Sequence, residues 1–121
     1  MKIILVDDNP HVRDSLRQML TRLQIRIDAV WEAVCDSSAV QLIEMLEPDL
    51  IVTDAKLLLL NGSRLLDRLE QRLPQSKVVV TSSHDFILAP FALCGIDSLQ
   101  KPLNSASLEP ILSRLSAPAS T

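Results

Sequence analysis

The sequence contains no apolar run long enough to cross a bilayer and no surplus of positive charge. A membrane-spanning helix needs about 18 consecutive apolar residues, and no stretch approaches that length. The apolar run after Lys2 ends before Asp7, which is too short for the core of a signal peptide. The net charge is −3 and the basic residues are scattered, so direct binding of nucleic acid or of an anionic membrane is not expected. These absences favour a cytoplasmic protein.

Cysteine and histidine are also scarce, with two of each. Cys35 and Cys94 lack neighbours at the spacing of metal ligands and fall on separate predicted elements, so we expect buried free thiols without a chemical role. His11 falls in the first turn of a predicted helix and His84 in a predicted loop, which favours ordinary surface positions. None of these four side chains enters the predicted site.

Short apolar runs alternate with segments of helical spacing along the chain. With 121 residues, 47% of them hydrophobic, the chain has enough material for one domain with a substantial core. Apolar, β-branched runs predict strands at residues 3–6, 27–34, 50–52, 78–80 and 96–100. Apolar residues at helical spacing follow each of these runs. The pattern predicts five βα units.

Capping and breaking residues predict where the helices begin and end. Asn9 is a candidate N-cap with Pro10 at the first helical position, and residues 36–38 can cap the second helix. Pro48 and Pro74 are expected to end the second and third helices.

The third and last predicted helices carry further expectations. In the third helix, four leucines are expected to face the core: Leu65, Leu66, Leu69 and Leu73. The last helix contains Pro110, which would lose a hydrogen bond inside a helix, so this helix is predicted to begin late, at Ser107, or to be kinked.

Strict βα alternation predicts a parallel sheet with helices on both faces and right-handed crossovers. We expect the flavodoxin-like, doubly wound α/β fold with strand order 2-1-3-4-5. This order places the most aliphatic strands at the centre and leaves strand 2, with Asp28 and Glu32, at an edge. The domain is predicted to cover residues 1–116, and residues 117–121 to form a disordered tail or the start of a linker.

Polar residues follow four of the predicted strands, and the carboxyl ends of parallel strands lie at one edge of the sheet. These residues are Asp7, Asp8, Asp54, Thr81 and Lys101. A small carboxylate cluster can hold Mg²⁺, an aspartate can attack phosphorus, and an ammonium and a hydroxyl can stabilise the transferring phosphoryl group. Alternatively, Asp8 or Asn9 could simply cap the first helix.

With these residues in this order, residues 1–116 resemble the receiver domain of two-component response regulators. The resemblance implies that Asp54 accepts a phosphoryl group from a histidine kinase or histidine phosphotransfer protein. It implies Mg²⁺ at Asp7, Asp8, Asp54 and the backbone carbonyl of Lys56. Thr81 and Lys101 would be the switch hydroxyl and the phosphate-binding lysine.

The same resemblance implies further residue roles. Pro102 would follow Lys101, often through a cis peptide, and Gly62 would close the loop after the phosphorylated strand. The side chains of Lys56 and Ser83 would lie near the phosphoryl group and alter its lifetime. An output domain after residue 121 is expected, and residues 91–100 are similar to receivers that precede LytTR-type DNA-binding domains.

The chain departs from the receiver pattern at two places. Ser98 occupies the position where receivers usually carry an aromatic switch residue, so coupling from Thr81 to the surface must use other groups. The loop after Asp54 carries four consecutive leucines, residues 57–60, of which two are expected to be buried; a partner-docking patch is the alternative. A homodimer is possible, although its face is not defined by the sequence.

Three other functions share part of this pattern. An aspartate-nucleophile phosphatase of the haloacid dehalogenase type would carry Asp-x-Asp after its first strand, and residues 7–9 do not fit. A flavodoxin-like carrier is disfavoured because Asp7 and Asp8 would repel the FMN phosphate. The remaining alternative is a receiver-fold interaction module that acts independently of phosphorylation.

Overall fold

A computed structural model of the chain describes residues 1–23, 26–60, 62–73, 75–94 and 96–116, with only the backbone of residues 115 and 116. The strands are β1 (Lys2–Val6), β2 (Ala29–Ala33), β3 (Leu50–Asp54), β4 (Lys77–Ser82) and β5 (Asp97–Gln100). The helices are α1 (Pro10–Arg22), α2 (Asp36–Leu46), α3 (Ala55–Leu58), α4 (Leu65–Arg72), α5 (Asp85–Leu93) and α6 (Ser105–Ser116).

The strands form one parallel sheet in the order β2-β1-β3-β4-β5, which confirms the predicted topology. β1, β3 and β4 are the interior strands, and their side chains are almost entirely buried. Such strands contact helices on both faces, which explains their continuous apolar sequences. The register pairs Asp54 of β3 with Thr81 of β4, so both predicted site residues reach the same edge of the sheet.

Two apolar cores lie on opposite sides of this sheet, because successive side chains of a strand point to opposite faces. In β1, Ile4 and Val6 join the core under α2, α4 and α5. Ile3 and Leu5 join the core under α1 and α6. The sheet is therefore fixed from both faces, and the polar groups at its carboxyl edge stand on a rigid base.

Several predicted helix boundaries are confirmed. Asn9 is the N-cap of α1: its side chain accepts a hydrogen bond from the backbone N–H of His11 at 2.9 Å, and Pro10 is the first helical residue. α2 ends at Leu46, two residues before Pro48. α4 ends at Arg72, and Pro74 lies outside the described residues.

The helices differ from the predictions at three places. α3 was not predicted: Asp54 caps this short helix directly at the end of β3. Leu73 is partly exposed, because α4 ends at the residue before it. The late start at Ser107 is wrong: α6 begins at Ser105, where the Asn104 side chain accepts a hydrogen bond from the Ser107 N–H at 2.9 Å. Pro110 lies inside α6, so the alternative of a kinked helix stays a prediction.

The described parts of the second and fifth strands are also shorter than expected. β2 covers Ala29–Ala33 rather than residues 27–34, and β5 begins at Asp97 rather than at residue 96. At its start, β2 is limited by its pairing with β1, in which Ala29 lies opposite Lys2.

Cys35 and Cys94 are free, as predicted, but both are exposed, which corrects the expectation of buried thiols. Cys35 lies beyond the end of the edge strand β2 as the N-cap of α2, and Cys94 follows the last turn of α5. Neither place is covered by a neighbouring element. His11 and His84 are exposed, as expected.

No helix among the described residues has the length and apolar character needed to cross a membrane. The predicted domain limit at residue 116 meets the end of α6, and the predicted tail at 117–121 lies outside the described residues.

Candidate functional site

The site is centred on Lys101, which joins two carboxylates at the carboxyl edge of the sheet. Its ammonium donates to Asp7 Oδ2 at 2.9 Å and to Asp54 Oδ2 at 2.5 Å. Asp7 follows β1 and Asp54 ends β3, and these strands are neighbours. All three side chains are largely withdrawn from solvent, with Lys101 only 16% exposed. The parallel sheet therefore brings together three groups that are far apart in sequence.

The second oxygen of each carboxylate is held by a backbone amide. Asp7 Oδ1 accepts a hydrogen bond from the Asn9 N–H at 2.8 Å, and Asp54 Oδ1 accepts one from the Lys56 N–H at 2.8 Å. The second contact is the N-cap interaction of α3. Each carboxylate is thus fixed in orientation by one amide and one ammonium.

Asp8 is separate from this group and pairs with Lys56. Lys56 Nζ lies 2.9 Å from Asp8 Oδ1, and both side chains are exposed. The hydrogen bond from Lys56 lowers the pKa of Asp8 below its ordinary value, and the same bond raises the pKa of Lys56. Asp8 does not cap α1, because Asn9 does so. The simple capping explanation therefore holds for Asn9 alone.

Lys101 keeps its charge despite partial burial. Burial by itself would lower the pKa of this ammonium, but the hydrogen bonds and charges of Asp54 and Asp7 outweigh it and raise the pKa above its ordinary value. A permanent positive charge therefore faces both carboxylates.

The other predicted residues lie around this centre. Thr81 is buried next to Asp54, and its hydroxyl donates to the Thr53 carbonyl at 3.5 Å. Ser83 is exposed just beyond β4, whereas Ser98 is half-buried within β5. The Lys101–Pro102 peptide bond is cis. Thr81 and Ser83 border the carboxylates, whereas Ser98 lies within the neighbouring strand.

The donor set suits a hard divalent cation, since it consists of carboxylate oxygens on neighbouring loops. Within the described ranges, however, no three acidic, histidine or cysteine side chains converge as a metal-binding group. Asp7 and Asp54 meet at Lys101 while Asp8 faces Lys56. The backbone carbonyl of Lys56 accepts a hydrogen bond from the Leu59 N–H at 3.2 Å and retains a second lone pair. These carboxylates and the Lys56 carbonyl fit a metal ion when the Asp8 side chain turns away from Lys56 and toward Asp7 and Asp54.

Sequence reasoning missed Arg13, which supports the site from α1. Its guanidinium donates to the Asp7 carbonyl at 2.7 Å and to Glu32 Oε1 at 2.7 Å. Arg17 pairs with the same Glu32 carboxylate at 2.5 Å. A basic residue on an amphipathic helix gives no sequence signal for such contacts, because they depend on how α1 packs beside β2.

The leucine segment after Asp54 divides as expected. Leu57 and Leu58 are buried in the core under α2, α4 and α5, and Leu59 and Leu60 are exposed. The buried pair anchors α3, the helix that carries Lys56. The exposed pair leaves the docking alternative open.

The family model for the response regulator receiver domain matches residues 3–113. The chain therefore belongs to the response regulator receiver family, and it is a receiver domain of two-component signalling. The fold, the strand order and this match agree with the resemblance read from the motifs.

Curated relatives match most of the length of this chain. The chain is 30% identical over 117 residues to the transcriptional regulatory protein HptR of Staphylococcus aureus, covering 94% of this chain and 46% of the relative. It is 29% identical over 119 residues to the positive alginate biosynthesis regulatory protein of Pseudomonas aeruginosa, covering 98% and 48%. The chain thus spans about half the length of these relatives.

Solved structures show the same fold. The isolated receiver domain of RcsB from Salmonella enterica serovar Typhimurium, with the phosphomimetic BeF3⁻, matches with a TM-score of 0.78 at 19% identity, covering 95% of this chain and 87% of that one. The receiver domain of an HD domain-containing protein from Pseudomonas fluorescens matches with a TM-score of 0.75 at 27% identity, covering 94% and 85%.

Proposed function

We propose that Asp54 is the phosphoryl acceptor of this receiver domain and that phosphorylation switches its interaction with a partner or an output domain. The observation that carries this is the Lys101 ammonium, which joins Asp54 Oδ2 and Asp7 Oδ2 at the open carboxyl edge of the sheet. A nucleophilic oxygen, a positive charge and a neighbouring hydroxyl on Thr81 are the groups that phosphoryl transfer to an aspartate needs.

The reaction is an in-line displacement at phosphorus. An Asp54 carboxylate oxygen forms a bond to the phosphorus of a phosphohistidine in a histidine kinase or histidine phosphotransfer protein. The P–N bond breaks, and the imidazole leaves with the bonding electron pair. Lys101 and the Thr81 hydroxyl stabilise the phosphoryl oxygens. Water attack on the acyl phosphate later returns Asp54 to its free form, so the domain catalyses both its phosphorylation and its dephosphorylation.

Asp7, Asp8, Asp54 and the Lys56 carbonyl would hold Mg²⁺. The cation, when bound, neutralises charge on the phosphoryl oxygens. Lys56 and Ser83 stand at the rim of the site, where their side chains would influence how quickly water reaches the acyl phosphate. We place the domain in the cytoplasm, where its kinase partner would present phosphohistidine.

The test is covalent labelling by a small-molecule phosphodonor. The protein is incubated with Mg²⁺ and acetyl phosphate, and its intact mass is compared with that of the Asp54→Asn variant. We expect the wild-type protein to gain one phosphoryl group, and the gain to disappear with Asp54→Asn or with a chelator. A folded wild-type protein that binds Mg²⁺ but gains no mass would contradict the acceptor role.

The second candidate is an interaction module that does not depend on phosphorylation. Two observations favour it: Ser98 replaces the usual switch aromatic, and Leu59 and Leu60 are exposed in the segment after Asp54. It is supported if partner affinity is unchanged by Asp54→Asn and by BeF3⁻. A clear change in affinity on addition of BeF3⁻ that is absent in Asp54→Asn excludes it.

The relatives are about twice as long as this chain, so we propose that the domain acts together with an output domain. The printed names of the relatives describe regulatory proteins, one of them transcriptional, so DNA binding would belong to that further domain. Self-association is a further possibility, to be measured by analytical ultracentrifugation with and without BeF3⁻.

A further inference from the structure

Two lysines that differ in accessibility pair with the three carboxylates of the site. Lys101 lies within the site, 16% exposed, and contacts Asp7 and Asp54. Lys56 lies at the rim, 58% exposed, and contacts only Asp8 among the carboxylates. The rim ion pair is therefore the one that solvent, salt and incoming cations reach first.

Lys56 and a bound cation would compete for the same carboxylate. Lys56 Nζ lies 2.9 Å from Asp8 Oδ1. A magnesium ion bound to that oxygen at its usual distance of about 2 Å would be no farther than about 5 Å from the ammonium. Two positive charges at this distance repel each other, and the hydration shell that Mg²⁺ retains needs the same space. The Lys56 ammonium therefore opposes binding of the ion to Asp8, and the ion in turn weakens the Lys56–Asp8 pair.

We propose that Lys56 is an internal counter-ion that occupies Asp8 and sets the affinity of the site for Mg²⁺. The inference rests on the proposed function, because it assumes that Asp8 belongs to the metal site. Uptake of the ion exchanges one positive partner of Asp8 for another. It releases the Lys56 side chain, only two residues from Asp54, to interact with the negative charge that a phosphoryl group would bring.

The position of Lys56 makes this exchange possible. Its backbone is fixed, because its N–H donates to Asp54 Oδ1 and the next two leucines are buried. Its side chain is exposed, and an exposed ion pair contributes little stability. The ammonium is thus held close to Asp8 by the chain but is displaced at low cost. The effect on affinity is expected to be about an order of magnitude at most.

The test is calorimetric titration with MgCl₂ at low ionic strength, which requires no phosphodonor. We compare the wild-type protein with Lys56→Met, with the charge-conserving variant Lys56→Arg, and with Lys77→Met. Lys77 begins β4 at the opposite edge of the sheet, so its substitution removes the same charge away from the site. Circular dichroism establishes that each variant is folded.

We expect Lys56→Met to bind Mg²⁺ about threefold to tenfold more tightly, a change limited by solvent screening of the exposed pair. The Mg²⁺ affinities of Lys56→Arg and Lys77→Met should remain within about twofold of the wild-type value. Lys56→Arg keeps the positive charge, and Lys77→Met removes a charge that is far from the site. The difference in Mg²⁺ affinity between Lys56→Met and the wild-type protein should become smaller at high salt. If the wild-type protein binds Mg²⁺ and Lys56→Met binds it no more tightly, the counter-ion role is wrong but the metal site stands. If neither binds it, both proposals fail.

Discussion

At the residue scale, the contacts of Lys101 predict a loss of stability at alkaline pH. A pKa raised in the folded state contributes stability that is complete below the unfolded value of about 10.4 and is lost as pH rises through the folded pKa. Because the chain has no tyrosine, lysines dominate titration in this range. We expect the free energy of unfolding to fall as pH rises above about 10.

Urea denaturation at pH 8 and pH 11, with chelator present, checks this expectation. Lys101→Met should already be less stable at pH 8, by about 2 to 4 kcal/mol, because it leaves two buried carboxylates unpaired. It should also lose less further stability at pH 11 than the wild-type protein. Lys77→Met is the control, and its free energy of unfolding should fall between pH 8 and pH 11 as much as that of the wild-type protein. An equal loss in wild-type protein and Lys101→Met would contradict the argument.

A second residue-scale prediction concerns the reactivity of Cys35. Hydrogen bonds from Ser37 and Ser38 lower the pKa of this exposed thiol to about 7. The thiolate is the reactive form, so Cys35 should be alkylated rapidly by iodoacetamide, with a rate that rises to half its maximum near pH 7. Mass spectrometry of Cys35→Ser and Cys94→Ser variants separates the two thiols. A midpoint above pH 8 in Cys94→Ser would show that the serine contacts do not stabilise the thiolate.

At the element scale, Asp36 joins two helices that are distant in sequence. It was expected to cap α2, but Asp36 Oδ2 accepts hydrogen bonds from Ser63 Oγ at 2.7 Å and from the N–H groups of Arg64 and Leu65, both at 3.0 Å. The side chain of a residue in the first turn of α2 therefore satisfies the N-terminus of α4.

We expect Asp36→Ala to lower the free energy of unfolding by about 1 to 2 kcal/mol, because three donors lose their acceptor. Burial alone would raise the pKa of Asp36, but the bonds from Ser63, Leu65 and Arg64 outweigh it, so the pKa is lowered. This contribution is present above pH ~4 and is lost as pH falls. Urea denaturation at pH 7 measures the loss, and Asp36→Asn, which retains an oxygen acceptor, should lose less. Equal stability of Asp36→Ala and wild-type protein would contradict the capping role.

The elements also show what the sequence could predict and why the rest was missed. The strands and their order were predictable because β-branched runs buried on both faces leave a continuous apolar signal, as in β3. α3 was missed because four residues are too few for helical periodicity to be recognised. Its formation depends on the Asp54 side chain, which was interpreted only as a site residue. Local capping by Asn104 likewise determined the start of α6.

The site shows the same division. The proximity of Asp7, Asp54 and Lys101 was predictable from topology alone, since each residue lies at the carboxyl end of a strand whose place in the sheet was predicted. The position of Asp8 was not predictable, because its partner Lys56 depends on the direction of an exposed side chain. Arg13 and Asp36 contact residues of other helices and strands, and the spacing of residues in the sequence does not indicate such contacts. Burial of Cys35 and Cys94 was wrong because a residue's average preference does not decide its place at a helix end.

At the scale of the whole molecule, one sheet lies between the two cores and contributes side chains to both, so the domain should unfold cooperatively. The chain has one tryptophan and no tyrosine. Trp31 lies on the edge strand β2 and packs against the core under α2, α4 and α5, whereas circular dichroism reports all helices. We expect the urea midpoints from tryptophan fluorescence and from circular dichroism to coincide. An earlier fluorescence midpoint would show that β2 separates from the sheet before the rest unfolds.

The two oxygens of Asp54 have different partners, and both partners are donors. Oδ1 accepts from the Lys56 amide and Oδ2 from the Lys101 ammonium. An asparagine side chain has only one oxygen. In Asp54→Asn the NH₂ group therefore faces one of these two donors, or the side chain moves and that donor loses its acceptor. A stability or binding change in this variant can therefore reflect release of Lys101 as well as loss of the proposed phosphoryl acceptor. A variant in which Lys101 is also replaced separates these two causes.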